Sequence, residues 1–419
     1  FLFFIALCCT VNVYSQQDWG YLNFEIPSGN SHGAIYPINE NIVHIAADFG
    51  YFYKTEDGGS NWVAYDSGVS EYFLDMVFQD SNTGFAVGTH GAILKTVDGG
   101  QNWSQQVSGT SEDLISIAIA ASNNIWVVGN EGVVLHSTDG GLTWILNTAI
   151  TSEKLNSIQF KDENVGYFAG NNGAFFHTST GGAIWNPLSI GTSEDLFSIS
   201  ITENYTQVLA GFAEDGGSYY YMGNSIFKTI DNIQWTNYIL EDILEGAADL
   251  YFQNDNLGFV MSSAALLCDC CYVKINKSFD VGDTWIESYF EETNADNCNA
   301  NPGYADLKFA DEDIGYALLG NKILTTNPIV FGVLDYTRPQ ITLYPNPVEG
   351  GHFNIEISNT KSDTISIEIF DINGKMIYSE KILKSKTKVS IPQAKAGLYF
   401  VQLTRNGDAI ETQKLILIQ

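Results

Sequence analysis

From Trp19 to about Thr326 the chain alternates short apolar runs with clusters of Gly, Asn, Asp and Ser. One stretch shows the unit: apolar or alternating segments at Leu74 to Phe78, Gly84 to Gly88, Ala92 to Thr96 and Trp103 to Val107, each bounded by turn residues. Such segments read as half-buried β-strands. The unit recurs about every 41 residues, and four short strands in a repeat of that length predict a propeller blade.

The turn before the last strand of each unit is the most regular part of the chain. Lys95-Thr96-Val97-Asp98-Gly99-Gly100-Gln101-Asn102-Trp103 is repeated from Lys54 to Trp62 and from His136 to Trp144. A decayed copy ends at Trp185 with Thr180 in place of Asp, and shortened copies carry Asp231 with Trp235 and Asp280 with Trp285. Trp62, Trp103, Trp144 and Trp185 stand 41 residues apart, and the next two steps are 50 each. These residues resemble the Asp-box of bacterial neuraminidase-repeat propellers, and the surrounding repeats are similar to the photosystem II assembly-factor propeller family. Asp bonds its own nearby amides, paired Gly residues supply positive φ, and Trp restarts a strand and buries a large ring. An active site needs one Asp, not a copy in each repeat, so Asp57, Asp98 and Asp139 are read as turn residues. His136 and His177 occupy the Lys54 and Lys95 position and are read as surface residues rather than bases.

Six units end in a Trp, and a seventh begins at Asp306-Leu307-Lys308-Phe309 and stops after three strands. The missing fourth is assigned to Trp19-Gly20-Tyr21-Leu22-Asn23-Phe24, because closing the ring with both chain ends removes exposed sheet edges. The expected fold is all-β: a seven-bladed β-propeller sealed by its N-terminal strand. A second recurring turn, at Asp80-Ser81-Asn82-Thr83-Gly84, Asp162 to Gly166 and Asp311 to Gly315, lacks the spacing and closing Glu of a calcium loop and reads as a hairpin turn.

Units five and six are longer between their second and third strands, around Ala213 to Gly223 with Tyr219, Tyr220 and Tyr221, and around Ser262 to Tyr272 with Cys268, Cys270 and Cys271. The connection from about Glu291 to Pro302, with Glu291, Glu292, Asp296 and Cys298, is expected on the same face. Loops on a rigid scaffold are where binding usually sits. The three Tyr are the proposed ligand contacts, since exposed rings stack on sugars and anchor protein interfaces.

Residues 1–15 read as a secretory signal peptide: an uncharged apolar run, Phe1 to Val11, then Val13-Tyr14-Ser15. Its removal leaves four Cys in an exported chain, predicting that Cys298 pairs with one of Cys268, Cys270 or Cys271. Their spacing is not that of a zinc pair, and neither metal nor cofactor is expected. Domain boundaries follow as 16–336 for the propeller, 337–341 for a linker and 342–419 for a second domain.

That second domain alternates as short strands in a small β-sandwich pattern, expected to be immunoglobulin-like. Tyr344-Pro345-Asn346-Pro347, Asp371-Ile372-Asn373-Gly374-Lys375, Gly397-Leu398-Tyr399 and terminal Lys414 closely resemble the type A sorting domain of the type IX secretion system. The resemblance implies a Bacteroidetes-type source, export across the outer membrane by that machinery, and cleavage of the tail.

Charge narrows the function. Residues up to Gln340 hold 10 Lys and Arg against 41 Asp and Glu, net −31, while the remainder is net +1. A domain so acidic repels nucleic acid and anionic lipid. Sialidase chemistry, which resemblance to Asp-box propellers raises, needs Arg to hold a carboxylate, yet the chain's two Arg are Arg338 and Arg405, outside the propeller. His-Glu-x-x-His and Gly-rich phosphate loops are also missing from the sequence. The reading is a secreted or surface-displayed, non-catalytic propeller binding a glycan or protein. The alternative is a glycoside hydrolase with paired carboxylates among Glu291, Glu292 and Asp296.

Overall fold

The computed structural model describes residues 19–27, 33–147, 150–214, 220–240, 247–265, 270–294, 305–311, 313–319, 321–326, 340–344, 348–349, 351–358, 365–371, 375–382, 386–391, 393–405 and 408–418. The chain divides into two compact units, Phe1–Ile329 and Val330–Gln419. The expected signal peptide, Tyr219, Cys268, Asp296 and Cys298 lie outside the described residues, as do Pro345, Asn346, Pro347 and Gly374.

In the first unit the described strands fall into seven antiparallel sets of four, numbered here as blades 1 to 7. Blade 2 is typical, with strands Phe73–Phe78, Gly84–Gly88, Ile93–Thr96 and Ser104–Gln106. Blade 7 takes three strands, Ala305–Phe309, Gly315–Leu319 and Lys322–Thr325, from late in the chain. Its fourth is Gly20–Glu25 from the other end, with Gly20 opposite Thr325. The first strand of each set lies innermost and the fourth outermost.

Neighbouring blades bury apolar faces against each other. Phe52, Phe73, Met76, Phe78 and Leu94 make one such core between blades 1 and 2, and Trp126, Val134, Leu155, Ile158 and Phe168 make another between blades 3 and 4. Fully burying one such side chain contributes about 1.5–3 kcal/mol. Box tryptophans seal the seams: Trp103 stacks on Phe52 of the preceding blade at 4.2 Å between ring centres, and Trp185 meets Trp126 edge to face at 5.5 Å.

Blades 1 to 4 close their second-to-third hairpins with a three-residue 3-10 turn, such as Thr89–Gly91. In blades 5 and 6 the described residues at that place are strand. The residues expected there as inserted loops continue the ladder: Thr206–Glu214 pairs with Tyr220–Thr229, and Gly258–Ala265 with Cys270–Ser278. Glu291 and Glu292 likewise belong to a strand, Ile286–Asn294, opposite Val273 and Tyr272, and not to a connecting loop. Runs rich in Tyr, Val and Ile have strand propensity, and a neighbouring strand to pair with turns added length into ladder. A pair between Gly223 and Ala247 joins the two blades into one eight-stranded sheet.

The second unit is a two-sheet sandwich. One sheet holds Gln340–Tyr344, His352–Ser358 and Lys386–Ser390; the other holds Val348–Glu349, Asp408–Ile418, Gly397–Arg405, Ile365–Asp371 and Met376–Ile382. Leu343, Phe353, Ile355, Ile367, Val401 and Leu415 from both sheets share one core. Gln340 and Ile341, assigned to the linker from sequence, start the first strand by pairing with Ser358 and Ile357. Tyr399 is buried and donates its hydroxyl to the Lys395 carbonyl at 2.8 Å.

Candidate functional site

The boxes are closed hydrogen-bonded turns. In blade 2 the Thr96 hydroxyl donates to Asp98 Oδ1 at 2.9 Å and accepts from Gly100 N–H at 2.9 Å. Asp98 then takes the Asn102 backbone N–H on Oδ1 and the Asn102 amide on Oδ2, while Trp103 Nε1 donates to the Gly100 carbonyl. Thr55 and Asp57, Ser137 and Asp139, and Ser278 and Asp280 repeat the Ser/Thr–Asp pattern. These donors hold the carboxyls below their usual range; in Asp139, led by the Thr143 hydroxyl, to about 2. In blade 4, Thr180 keeps two bonds of this kind, accepting from Ile184 N–H at 3.1 Å and sharing a hydrogen bond with the Thr178 hydroxyl at 3.2 Å.

The two box glycines have separate tasks. The first donates its N–H to a first-turn Asn of its own blade, as Gly99 does to the Asn82 carbonyl and Gly181 to that of Asn164. In blades 2 to 4 the second leans on a ring of the preceding blade: a Cβ at Gly141 would sit 2.4 Å from Phe85, and one at Gly182 2.0 Å from Trp126. Both have positive φ, so no other residue fits without strain.

The basic position before the box is a seam contact and not the surface position read from sequence. Lys95 Nζ donates to the Gly140 carbonyl of the next blade at 2.7 Å, and Lys228 Nζ reaches the Val281 carbonyl and the Asp283 carboxylate. His136 stacks on Trp126 at 3.7 Å and bonds Asn124 Oδ1, and burial lowers the pKa of both His136 and His177. Strand pairing and ring stacking draw these side chains inward.

Around the axis, a second set of polar residues clamps adjacent blades, and sequence reasoning passed over it. Asp75 Oδ2 accepts from Ile117 N–H and from the Ser116 hydroxyl, both at 2.9 Å. Asp249 Oδ2 accepts from Leu307 N–H at 3.0 Å, and Asp306 Oδ2 from Ile35 N–H at 2.8 Å, which ties blade 7 to blade 1. At another seam Ser116 accepts from Ile158 N–H at 3.3 Å. The signal was available, since Asp75, Ser116, Ser157 and Ser198 are 41 residues apart.

The innermost strands enclose a channel of about 650 Å³ whose wall includes Tyr36, Asp75, Asn156, Asp249, Tyr251, Asp306 and Lys308. Lys308 Nζ lies 3.2 Å from Asp306 Oδ1. Burial pulls its pKa down, but Asp306, Asp249 and Asp75 outweigh that and hold it above the ordinary lysine value. Burial raises Asp75, and raises Asp249 to about 6. Every one of the three carboxylates is engaged by a backbone N–H of the neighbouring blade, so they fasten the ring as well as line it. Among the described residues no group of three or more His, Cys, Asp and Glu is arranged to hold a metal ion.

Of the ligand contacts expected from sequence, Tyr220 and Tyr221 lie in the prolonged third strand of blade 5, opposite Glu214 and Ala213. Cys270 and Cys271 lie in that of blade 6, opposite Asn294 and Thr293 of its fourth strand.

Fold and turns together define a β-propeller built from Asp-box repeats and followed by a sorting domain. Residues 61–150 match the family model of the photosynthesis system II assembly factor YCF48. Residues 342–419 match the secretion system C-terminal sorting domain, the address of a secreted or cell-surface protein. Similar solved structures include YCF48 bound to D1 peptide (18% identity, TM-score 0.56, 75% of this chain and 99% of that one). YCF48 from Cyanidioschyzon merolae is another (16%, 0.54, 73% and 98%), as is the Niastella koreensis GH74 enzyme (17%, 0.57, 81% and 59%). At these identities the likeness is one of fold. No curated protein matches the chain in sequence. Among the described residues no helix is long and apolar enough to cross a membrane.

Proposed function

We propose that the protein is a secreted or surface-displayed binding propeller without catalytic activity, taking an extracellular glycan or protein on the face where blades 5 and 6 project. One observation carries this reading: blades 5 and 6 replace the short turn of blades 1 to 4 with strands of eight to ten residues, cross-linked at Gly223 and Ala247. A rigid disc with one raised sector offers a preorganised contact surface. Tyr219, Tyr220 and Tyr221 are the assigned anchors, with Glu291, Glu292 and Asp296 as polar neighbours. A disulfide from Cys298 to Cys268, Cys270 or Cys271 would staple the raised sector.

Export follows the same reading. Residues 1–15 act as a signal peptide, and residues 342–419 engage the type IX machinery of a Bacteroidetes-type bacterium. The hydrolase alternative gains no support in the channel, because Asp75, Asp249 and Asp306 all hold seam hydrogen bonds.

The test is a glycan array and a protein pull-down on the full chain, beside a variant with Tyr219, Tyr220 and Tyr221 changed to Ala, with a reducing-sugar assay in parallel. Binding lost in the variant, without sugar release, supports the reading. Release of reducing sugar replaces it with the hydrolase.

A further inference from the structure

The repeats serve as internal controls for one another, and blade 1 departs from blades 2 to 4 at one place. The left-handed residue of the second-to-third turn is His90, Glu131 and Asn172 in blades 2, 3 and 4, at φ near 50–55°. In blade 1 it is Phe49, at φ 59°. Asn and other small polar residues tolerate this region, whereas a bulky aromatic residue there is an outlier.

A second difference lies where the chain enters the next blade. Asp113 and Asp195 cap the turns of blades 2 and 4, their Oδ1 atoms accepting from His90 N–H and Asn172 N–H at 2.9 Å. Counting 41 residues back from Asp113 gives Tyr72 in blade 1, and counting 41 back from Asp195 gives Lys154 in blade 3, so the carboxylate is missing from both, but only blade 1 puts an aromatic side chain in its place. The residue two after the left-handed position is the buried Ala92 or Val133 in blades 2 and 3, and the exposed Tyr51 in blade 1.

Blade 1 therefore gives up a tolerant left-handed residue, and it alone of blades 1 to 4 gathers three partly exposed aromatic side chains around this turn. Phe49, Tyr51 and Tyr72 are 44%, 37% and 37% exposed, with the Phe49 and Tyr72 rings 5.3 Å apart. Packing does not account for the exchange, since these rings are not in the core. Beside Tyr72, Glu71 Oε2 accepts from the Thr89 hydroxyl at 2.7 Å and lies 2.8 Å from His90 Nδ1, adding fixed donors and acceptors.

We propose that Phe49, Tyr72 and Tyr51 form a stacking platform for a neutral glycan, with Glu71, Thr89 and His90 addressing its hydroxyls. Aromatic faces pack on the C–H faces of sugar rings while polar neighbours fix orientation. The net charge of −31 up to Gln340 repels sulfated, sialylated and uronate-rich chains, leaving neutral ones. This site is separate from the raised sector of blades 5 and 6 and goes beyond it.

The repeats also supply the test variant. Phe49→Asn with Tyr72→Asp installs the residues that blade 4 carries, so this double variant folds at least as well as the parent. Full-length wild type is applied to an array of neutral and anionic glycans beside the double variant, Phe49→Trp, and the Tyr219–Tyr221 to Ala variant. Expected are binding to neutral glycans by wild type and Phe49→Trp, a loss of tenfold or more in the double variant, and an unchanged or higher Tm. The proposal is overturned if wild type binds no neutral glycan, if the double variant binds like wild type, or if only capture of a protein is lost. Loss confined to the Tyr219–Tyr221 variant would place sugar binding on blades 5 and 6 instead.

Discussion

Blades 2 to 4 and blades 5 to 6 share a box turn, a seam clamp and an aromatic seal, and they part at the second-to-third hairpin. In blades 2 to 4 it is a three-residue turn at a fixed period; in blades 5 and 6 it is a ladder that runs on past the rim. Both designs keep the box face and the axis constant. The lesson is that the ring is held from two places, axis and box, which leaves the third free to vary. Blade 1 makes the same point on a smaller scale, keeping the turn while changing its side chains.

If the axis is common to all blades, breaking it should cost most. Asp306→Ala strips Ile35 N–H of its acceptor and Lys308 of its ion-pair partner, and should destabilise the propeller by about 2–4 kcal/mol in chemical denaturation. The lower end allows for water reaching Lys308 along the channel. Ser200→Ala, at a seam where the hydroxyl accepts from Phe252 N–H at 2.7 Å and no carboxylate takes part, should cost about 1 kcal/mol. Equal losses at the two sites would mean that the charge at the axis adds nothing.

Titration separates axis from box by sign. Asp249 is raised in the folded chain, from 3.8 to about 6, so the folded form holds its proton longer and stability falls as pH rises from about 4 to about 6. The box carboxylates are lowered, Asp139 to about 2, so their contribution is present above about 4 and is lost as pH falls toward 2. Asp249→Asn should flatten the first slope and leave the second, measured as Tm against pH. A variant that flattens neither sinks the assignment.

Box substitutions should act alike in any blade. Asp98→Ala removes three accepted hydrogen bonds and should cost about 1–2 kcal/mol, whereas Asp98→Thr, copying Thr180 of blade 4, should cost less. The reverse change, Thr180→Asp, should stabilise by up to about 1 kcal/mol in the same denaturation assay.

The smallest effect on stability is expected where the two groups of blades differ. Replacing residues 212–222 of blade 5 by the short turn of blade 4 should change stability by less than about 0.5 kcal/mol, as surface changes away from packing do, while abolishing binding to the raised sector. A loss as large as that of Asp98→Ala would show that the projecting ladder is part of the scaffold.

Much of the architecture was legible in the chain. The 41-residue spacing of Trp62, Trp103, Trp144 and Trp185 marked the repeats, because each blade must bring a ring to the same seam. A lone Trp19 before the first box marked the strand that closes blade 7, since an unpaired edge has to be covered. The motifs of residues 342–419 marked the export domain.

Tertiary structure decided what local pattern leaves open. Whether a long insertion is loop or ladder depends on a neighbouring strand being present to pair with, which is why Glu291 and Glu292 moved from connection to strand. Lys95 and Lys228 before their boxes looked superficial because their partner carbonyls belong to the next blade, 45 and 53 residues on, and His136 because its partners Asn124 and Trp126 come from the neighbouring strand. Asp75, Asp249, Asp306 and Lys308 are scattered over more than 230 residues, and only closure of the ring brings them to one channel. A repeat writes its own turns and strands, since those rest on neighbours in sequence; contacts across the axis rest on the number of blades and on how they close.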